Sequence, residues 1–105
     1  VKDKIDIVVD DLGTTRHYKN GVLHNDNNPA VEYYDGSKYW FTDGDLDRIE
    51  YVSGTKTYWK NWKMHRENGP AIEYEDGFCC WYYDGEFLGS TETGYTQKEF
   101  LSLFE

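Results

Sequence analysis

The sequence predicts an all-β fold with a short C-terminal α-helix: an antiparallel meander of repeated β-hairpins in an elongated, twisted sheet. Three observations predict it. The chain falls on itself when shifted by 41 residues. Tight-turn dipeptides recur between short runs of alternating polarity, the pattern of hairpins. The last residues change from a two-residue to a helical spacing of apolar side chains. A chain of 105 residues suits one domain. Within it the duplication runs from about 8 to 48 and from about 49 to 89, and the helix covers about 97–105.

The duplication is ungapped. Gly13-Thr14 matches Gly54-Thr55, Lys19-Asn20 matches Lys60-Asn61, and His24 matches His65. Asn27 matches Asn68, Pro29-Ala30 matches Pro70-Ala71, and Glu32-Tyr33 matches Glu73-Tyr74. Asp35-Gly36, Trp40 and Asp43-Gly44 match Asp76-Gly77, Trp81 and Asp84-Gly85. That is about fifteen identities, and conservative pairs such as Val31 with Ile72 and Phe41 with Tyr82 lie between them.

Each long unit holds a shorter period of about 20 residues, marked by an aromatic after a turn: Tyr18, Trp40, Trp59 and Trp81. A β-branched residue, Glu and Tyr precede three turns, as in Val31-Glu32-Tyr33, Ile49-Glu50-Tyr51 and Ile72-Glu73-Tyr74. The alternation places Val or Ile and Tyr on one face of a half-buried strand and Glu on the other. Asp35-Gly36, Ser53-Gly54 and Asp76-Gly77 then turn the chain, and the next turns fall at Asn20-Gly21, Asp43-Gly44 and Asp84-Gly85. At the end, Thr96 with Glu99 reads as a capping box. Phe100, Leu101, Leu103 and Phe104 supply a helical apolar face, expected to cover the end of the sheet and shield the last strand from edge pairing.

Composition bounds the function. Twenty Asp and Glu against eleven Lys and Arg give a formal net charge of -9. Such a chain repels nucleic acid and anionic membrane and is drawn to basic surfaces. Aromatic residues make up 18% of the chain, so the apolar payload sits largely in rings with polar tips. Cys79 and Cys80 are adjacent, a poor geometry for a mutual disulfide, which favours a reducing compartment. The stretch Ile5 to Val9 is too short, and interrupted by Asp6, for a signal core or a membrane span. The expected location is the cytoplasm.

Leu23-His24-Asn25-Asp26-Asn27-Asn28-Pro29-Ala30 and Met64-His65-Arg66-Glu67-Asn68-Gly69-Pro70-Ala71 resemble the Leu-His-Arg-acidic-Gly-Pro-Ala repeat of bacteriophage proteins. That family is distantly similar to MORN-type hairpin repeats and often ends in Tyr-Thr-x-x-Glu-Phe, here Tyr95 to Phe100. The resemblance covers most of residues 18–105, and its first copy departs at Asn25 and Asn28. It implies a repeat type and a phage-encoded protein acting in the host cytoplasm.

Catalysis is not expected. His17, His24, His65, Cys79 and Cys80 lack the paired short spacings of a zinc site, and neither a nucleophile frame nor a phosphate-cradling loop is present. No cofactor is implied. The recurrent His24 and His65 read as structural, bonding a turn backbone and packing on a ring. The expected function is a binding module that inhibits a host defence protein by docking an acidic and aromatic surface on a basic site, with no direct nucleic-acid or membrane contact. Acidic candidates less forced by turns are Asp45, Asp47, Glu50, Glu67, Glu73, Glu75 and Glu86; aromatic ones are Tyr39, Trp40, Tyr58, Trp59, Trp62, Trp81 and Tyr82. One alternative is a sponge that stacks a signalling nucleotide on rings and meets its phosphate with Arg16, Lys56, Lys60, Lys63 and Arg66. Another is a structural or antitoxin-like partner. The sequence leaves the oligomeric state open.

Overall fold

The computed structural model describes residues 2–105, which divide into two compact units, Val1–Val52 and Ser53–Glu105. The first unit contains β1 (Ile5–Val9), β2 (Thr15–Lys19), β3 (Val22–Leu23), β4 (Val31–Glu32), β5 (Lys38–Thr42) and β6 (Asp45–Glu50). Its strands are antiparallel and ordered β1-β2-β4-β5-β6, with β3 also paired to β2. The second contains β7 (Lys56–Lys60), β8 (Lys63–Met64), β9 (Ile72–Glu73), β10 (Cys79–Tyr83), β11 (Glu86–Ser90) and α1 (Gln97–Ser102). Its order is β7-β9-β10-β11, with β8 paired to β7. The all-β meander with one C-terminal helix is therefore the observed fold.

The 41-residue shift carries β2, β3, β4 and β5 onto β7, β8, β9 and β10 residue for residue. The units close a few residues beyond the sequence boundary at 48, because β6 must complete its ladder with β5 before the chain is released. Hairpin turns at Asn20-Gly21, Asp43-Gly44 and Asp84-Gly85 all hold two successive positive φ angles, the type I′ geometry that matches strand twist. The Asp35-Gly36 and Asp76-Gly77 loops close on Asx bonds: Ser37 N–H donates to Asp35 at 2.9 Å and Phe78 N–H to Asp76 at 3.0 Å.

The two cores are built differently. In the first unit Ala30, Val31, Phe41, Leu46 and Ile49 are buried. In the second, Ala71 and Ile72 repeat the pattern, but Phe87, which replaces Leu46, stays exposed against Tyr82. Trp81 and Phe100 are buried instead. The predicted N-cap is present, with Glu99 N–H donating to Thr96 Oγ1 at 3.2 Å, while the Glu99 carboxylate accepts from the Thr96 hydroxyl at 3.3 Å and not through the reciprocal backbone bond of a capping box. The helix stops at Ser102 rather than 105, because the Leu103 and Phe104 N–H groups bond three residues back and tighten the last turn. Its expected role also changes. Gln97 bonds Trp81, Phe104 packs on Tyr83 at 5.0 Å, and Tyr95 lies over Gly89. The segment thus covers a face of the β10–β11 hairpin, with Phe100 as its one buried apolar residue. The expected inward Tyr of the Val/Ile-Glu-Tyr runs is only partly realised: Val31, Ile49 and Ile72 are buried, while Tyr51 and Tyr74 are exposed. Strands β4 and β9 end before Tyr33 and Tyr74, whose N–H groups close the next turn.

Candidate functional site

The recurrent histidines tie one hairpin to the next. His24 Nδ1 accepts the Asp43 N–H at 2.9 Å, and His65 Nδ1 accepts the Asp84 N–H at 2.9 Å. A backbone N–H can only donate, so the proton of each ring sits on Nε2. There it faces Asp26 at 2.8 Å in the first unit and Glu67 at 3.0 Å in the second. His65 is buried and packs on Tyr83 at 4.3 Å. Beside each histidine, Gly44 N–H donates to Leu23 O and Gly85 N–H to Met64 O, both at 2.8 Å. In each unit the first I′-type turn is thereby fastened to the second.

The departures of the first copy have a chemical account. Asn25 Nδ2 donates to Pro29 O at 3.1 Å, and Arg66 Nη1 donates to the equivalent Pro70 O at 3.2 Å. Arg66 goes further, reaching Glu73 at 3.0 Å and covering the Tyr58 ring at 3.9 Å. A Cβ at Gly69 would stand 3.1 Å from Arg66 Nη1, so the longer side chain is matched by a glycine. The shorter Asn25 is matched by Asn28, the equivalent position.

The acidic candidates separate into two groups. Glu50 is paired with Arg48, Glu67 with Lys60 and His65, and Glu73 with Arg66. The His65 and Lys60 contacts hold the Glu67 carboxyl below its ordinary range. Asp45, Asp47, Glu75 and Glu86 are exposed, and among the described residues none of them pairs with a cation. Asp45 and Asp47 lie on β6, with Thr42 donating to Asp47 at 2.5 Å; Glu75 and Glu86 lie in the second unit.

Most aromatic candidates are engaged. Tyr39 meets Tyr33 edge-on, and burial pushes its hydroxyl pKa up. Trp40 lies under Arg48 at 4.3 Å, Trp59 donates to Thr57 at 2.9 Å, and Tyr58 donates to Glu73 at 3.1 Å. Trp81, a candidate for docking, is turned inward instead. It is 5% exposed, its N–H donates to Gln97, and Tyr95 packs on it, so it serves the fold. The basic candidates are similarly committed: Arg16 to Asp10 at 3.0 Å, Arg66 to Glu73 and Lys60 to Glu67, leaving Lys56 and Lys63 without an ion pair among the described residues.

Trp62 stands apart. It is 57% exposed and holds φ +61. Under the 41-residue shift it occupies the place of Gly21, and the other two turns of this kind carry Gly44 and Gly85. A bulky residue in the left-handed region is strained by about 1–2 kcal/mol. The Asn61-Trp62 turn abuts the Asp84-Gly85 turn, since Lys63 packs across Gly85 and Met64 accepts its N–H. Trp62, Lys63, Asp84 and Glu86 therefore belong to one turn cluster at an end of the second unit. Asp84 escaped sequence reasoning because its Asp-Gly turn already explained it.

Among the described residues, no group of three or more His, Cys, Asp and Glu is arranged to hold a metal ion, and no helix is long and apolar enough to cross a membrane. Cys79 and Cys80 are free, and burial pushes both thiol pKa values up. Comparison with protein-family models, with curated proteins and with solved structures finds no match to the chain.

Proposed function

We propose that the chain is a non-enzymatic binding module whose contact surface is the turn cluster of the second unit. The observation that carries this is Trp62. An exposed Trp held at positive φ, where equivalent turns use glycine, offers a large ring to a partner from a position that favours glycine. A protruding Trp is the residue type that most often anchors a protein interface. Asp84 and Glu86, on the turn against which the next residues Lys63 and Met64 pack, with a net charge of -9 overall, favour a basic partner surface. With the resemblance to phage repeats, the target is a bacterial host protein with a basic site, inhibited by occlusion.

The test is capture from bacterial lysate by wild type, Trp62→Gly, and a variant with Asp84→Asn and Glu86→Gln. A basic protein held by wild type, released by salt and lost with both variants, is expected. Capture indifferent to salt and to both variants would overturn the reading. Lys63 beside Trp62 favours a second reading, stacking of a nucleotide on the indole with its phosphate on the ammonium. Calorimetry with a nucleotide panel, repeated on Lys63→Met, separates it from the first.

A further inference from the structure

Strand β1 is an edge with one wholly apolar face. In the strand order of the first unit it has β2 on one side and, among the described residues, no strand on the other. Edge strands are ordinarily protected by charge, proline or a bulge. Here Ile5, Ile7 and Val9 are 60%, 61% and 63% exposed. The 41-residue shift sharpens the anomaly by carrying β1 onto 46–50 of β6, a strand that pairs with β5. Ile7 and Val9 fall on Arg48 and Glu50, an ion pair. The partnered strand has charges at these positions, and the open one has Ile and Val.

The ladder shows which backbone groups are open. Asn20 N–H donates to Lys4 O at 2.8 Å, and Asp10 N–H donates to Thr14 O at 3.0 Å. The register opposes Ile5 to Lys19 through Val9 to Thr15 without a shift. Antiparallel bonding alternates, so residues 4, 6, 8 and 10 bond β2, and the N–H and C=O of Ile5, Ile7 and Val9 point away from it. The same three side chains share one face.

We propose that β1 pairs antiparallel with β1 of a second copy of this chain, about a two-fold axis at Ile7. In this register Ile7 opposes Ile7, and Ile5 opposes Val9 of the second copy, each pair using the outward backbone groups. The six apolar side chains form one cross-strand cluster. Charge selects the register. Lys4 faces Asp10 of the second copy, and Asp6 faces Val8. A two-residue slip in one direction sets Asp6 against Asp6, and in the other sets Asp6 against Asp10, both repulsive. The contact is isologous and closes as a dimer. It is independent of the proposed function, whose contact surface lies in the second unit.

The experiment is sedimentation equilibrium of the 105-residue chain over a wide concentration range, at low and high salt. A monomer–dimer equilibrium is expected, tightening as salt rises, because two chains of net charge -9 repel until screened. Docking on a basic partner has the opposite salt dependence, so the two proposals fail separately. Ile7→Lys puts two ammonium groups on the axis and should weaken dimerisation about a hundredfold or more. Ile7→Pro takes away an outward N–H and no bond to β2, and should also give monomers, with circular dichroism showing the strand retained. Leu103→Lys, at an exposed site outside the strand, should still dimerise. A chain that is monomeric at every concentration and salt, or a dimer that survives both Ile7 variants, would overturn the proposal.

Discussion

Replacing Trp62 by glycine should leave stability close to wild type while removing binding, an unusual combination for a tryptophan. Somewhat under half of the ring is covered, about 100 Å² for a residue of this size, given its exposure of 57%. At about 25 cal/mol/Å² that is worth up to about 2.5 kcal/mol, an upper bound because the unfolded chain also covers part of it. Glycine relieves the left-handed strain of about 1–2 kcal/mol at φ +61. The two terms nearly cancel, so Trp62→Gly should lie within about 1 kcal/mol of wild type. Trp62→Ala loses the same ring but keeps most of the strain, and should fall about 1 kcal/mol below the glycine variant, or about 4 °C in Tm. Urea denaturation of the three chains, with capture from lysate in parallel, reads both effects. Equal stability of the Gly and Ala variants would show that no strain is stored there. Intact binding by Trp62→Gly would remove Trp62 as the anchor.

His65→Ala removes an acceptor from the Asp84 N–H and a buried ring against Tyr83, and should cost about 2–4 kcal/mol by urea denaturation. His65→Asn places an oxygen near the position of Nδ1 and should recover about 1 kcal/mol of that; no recovery would deny the turn-fastening role. Gly69→Asn crowds the Arg66 guanidinium and should destabilise, whereas adding Arg66→Asn recreates the Asn25–Asn28 pairing of the first unit. The double variant should therefore cost less than the two single ones added together, by about 0.5 kcal/mol or more. The Asp10 carboxyl is held below its ordinary range, first by Arg16 and then by backbone bonds, as Glu67 is by His65 and Lys60. A depressed folded pKa contributes stability above the ordinary carboxylate range and loses it as pH falls through the folded value. Melting temperature should thus drop on acidification below pH about 4, and less steeply for Arg16→Met.

The repeat made most of the fold legible. Matching Asp-Gly and Asn-Gly pairs located the turns, and Val31 and Ile72 marked buried positions because local chemistry alone decides them. The N-cap located the start of the helix for the same reason, while its end depended on how the last turn tightened. What stayed hidden was set by partners distant in sequence. His24 and His65 each reach a turn 19 residues away. Trp81 looked as available as Trp40, and only the return of Tyr95 and Gln97 buries it. The strain at Trp62 was present in the alignment, one residue past the Lys60-Asn61 match, as a break in an otherwise glycine position. A mismatch inside a repeat carries information that a list of identities passes over.

Where the two copies agree, the shared residue usually holds backbone: His24 and His65 on an N–H, Asp35 and Asp76 on the turn they open, Gly44 and Gly85 at positive φ. Such positions are dictated by the hairpin and say little about partners. Where the copies differ, the change is compensated locally or it is not. Asn25 for Arg66 is compensated by Asn28 for Gly69, so it remains a matter of packing. Trp62 for Gly21 has no such compensation in the backbone, since φ stays near the glycine value, +61 against +82. Lys63 for Val22 follows it directly and keeps the place of Val22 across the glycine of the next turn. Two adjacent changes, one costly in strain and both directed to the surface, fall on a turn whose neighbours are otherwise repeated closely. On the proposed function both differences serve a contact made by the second unit, and Trp62→Gly with Lys63→Val, which gives the residues of the first unit, is the substitution that should abolish it.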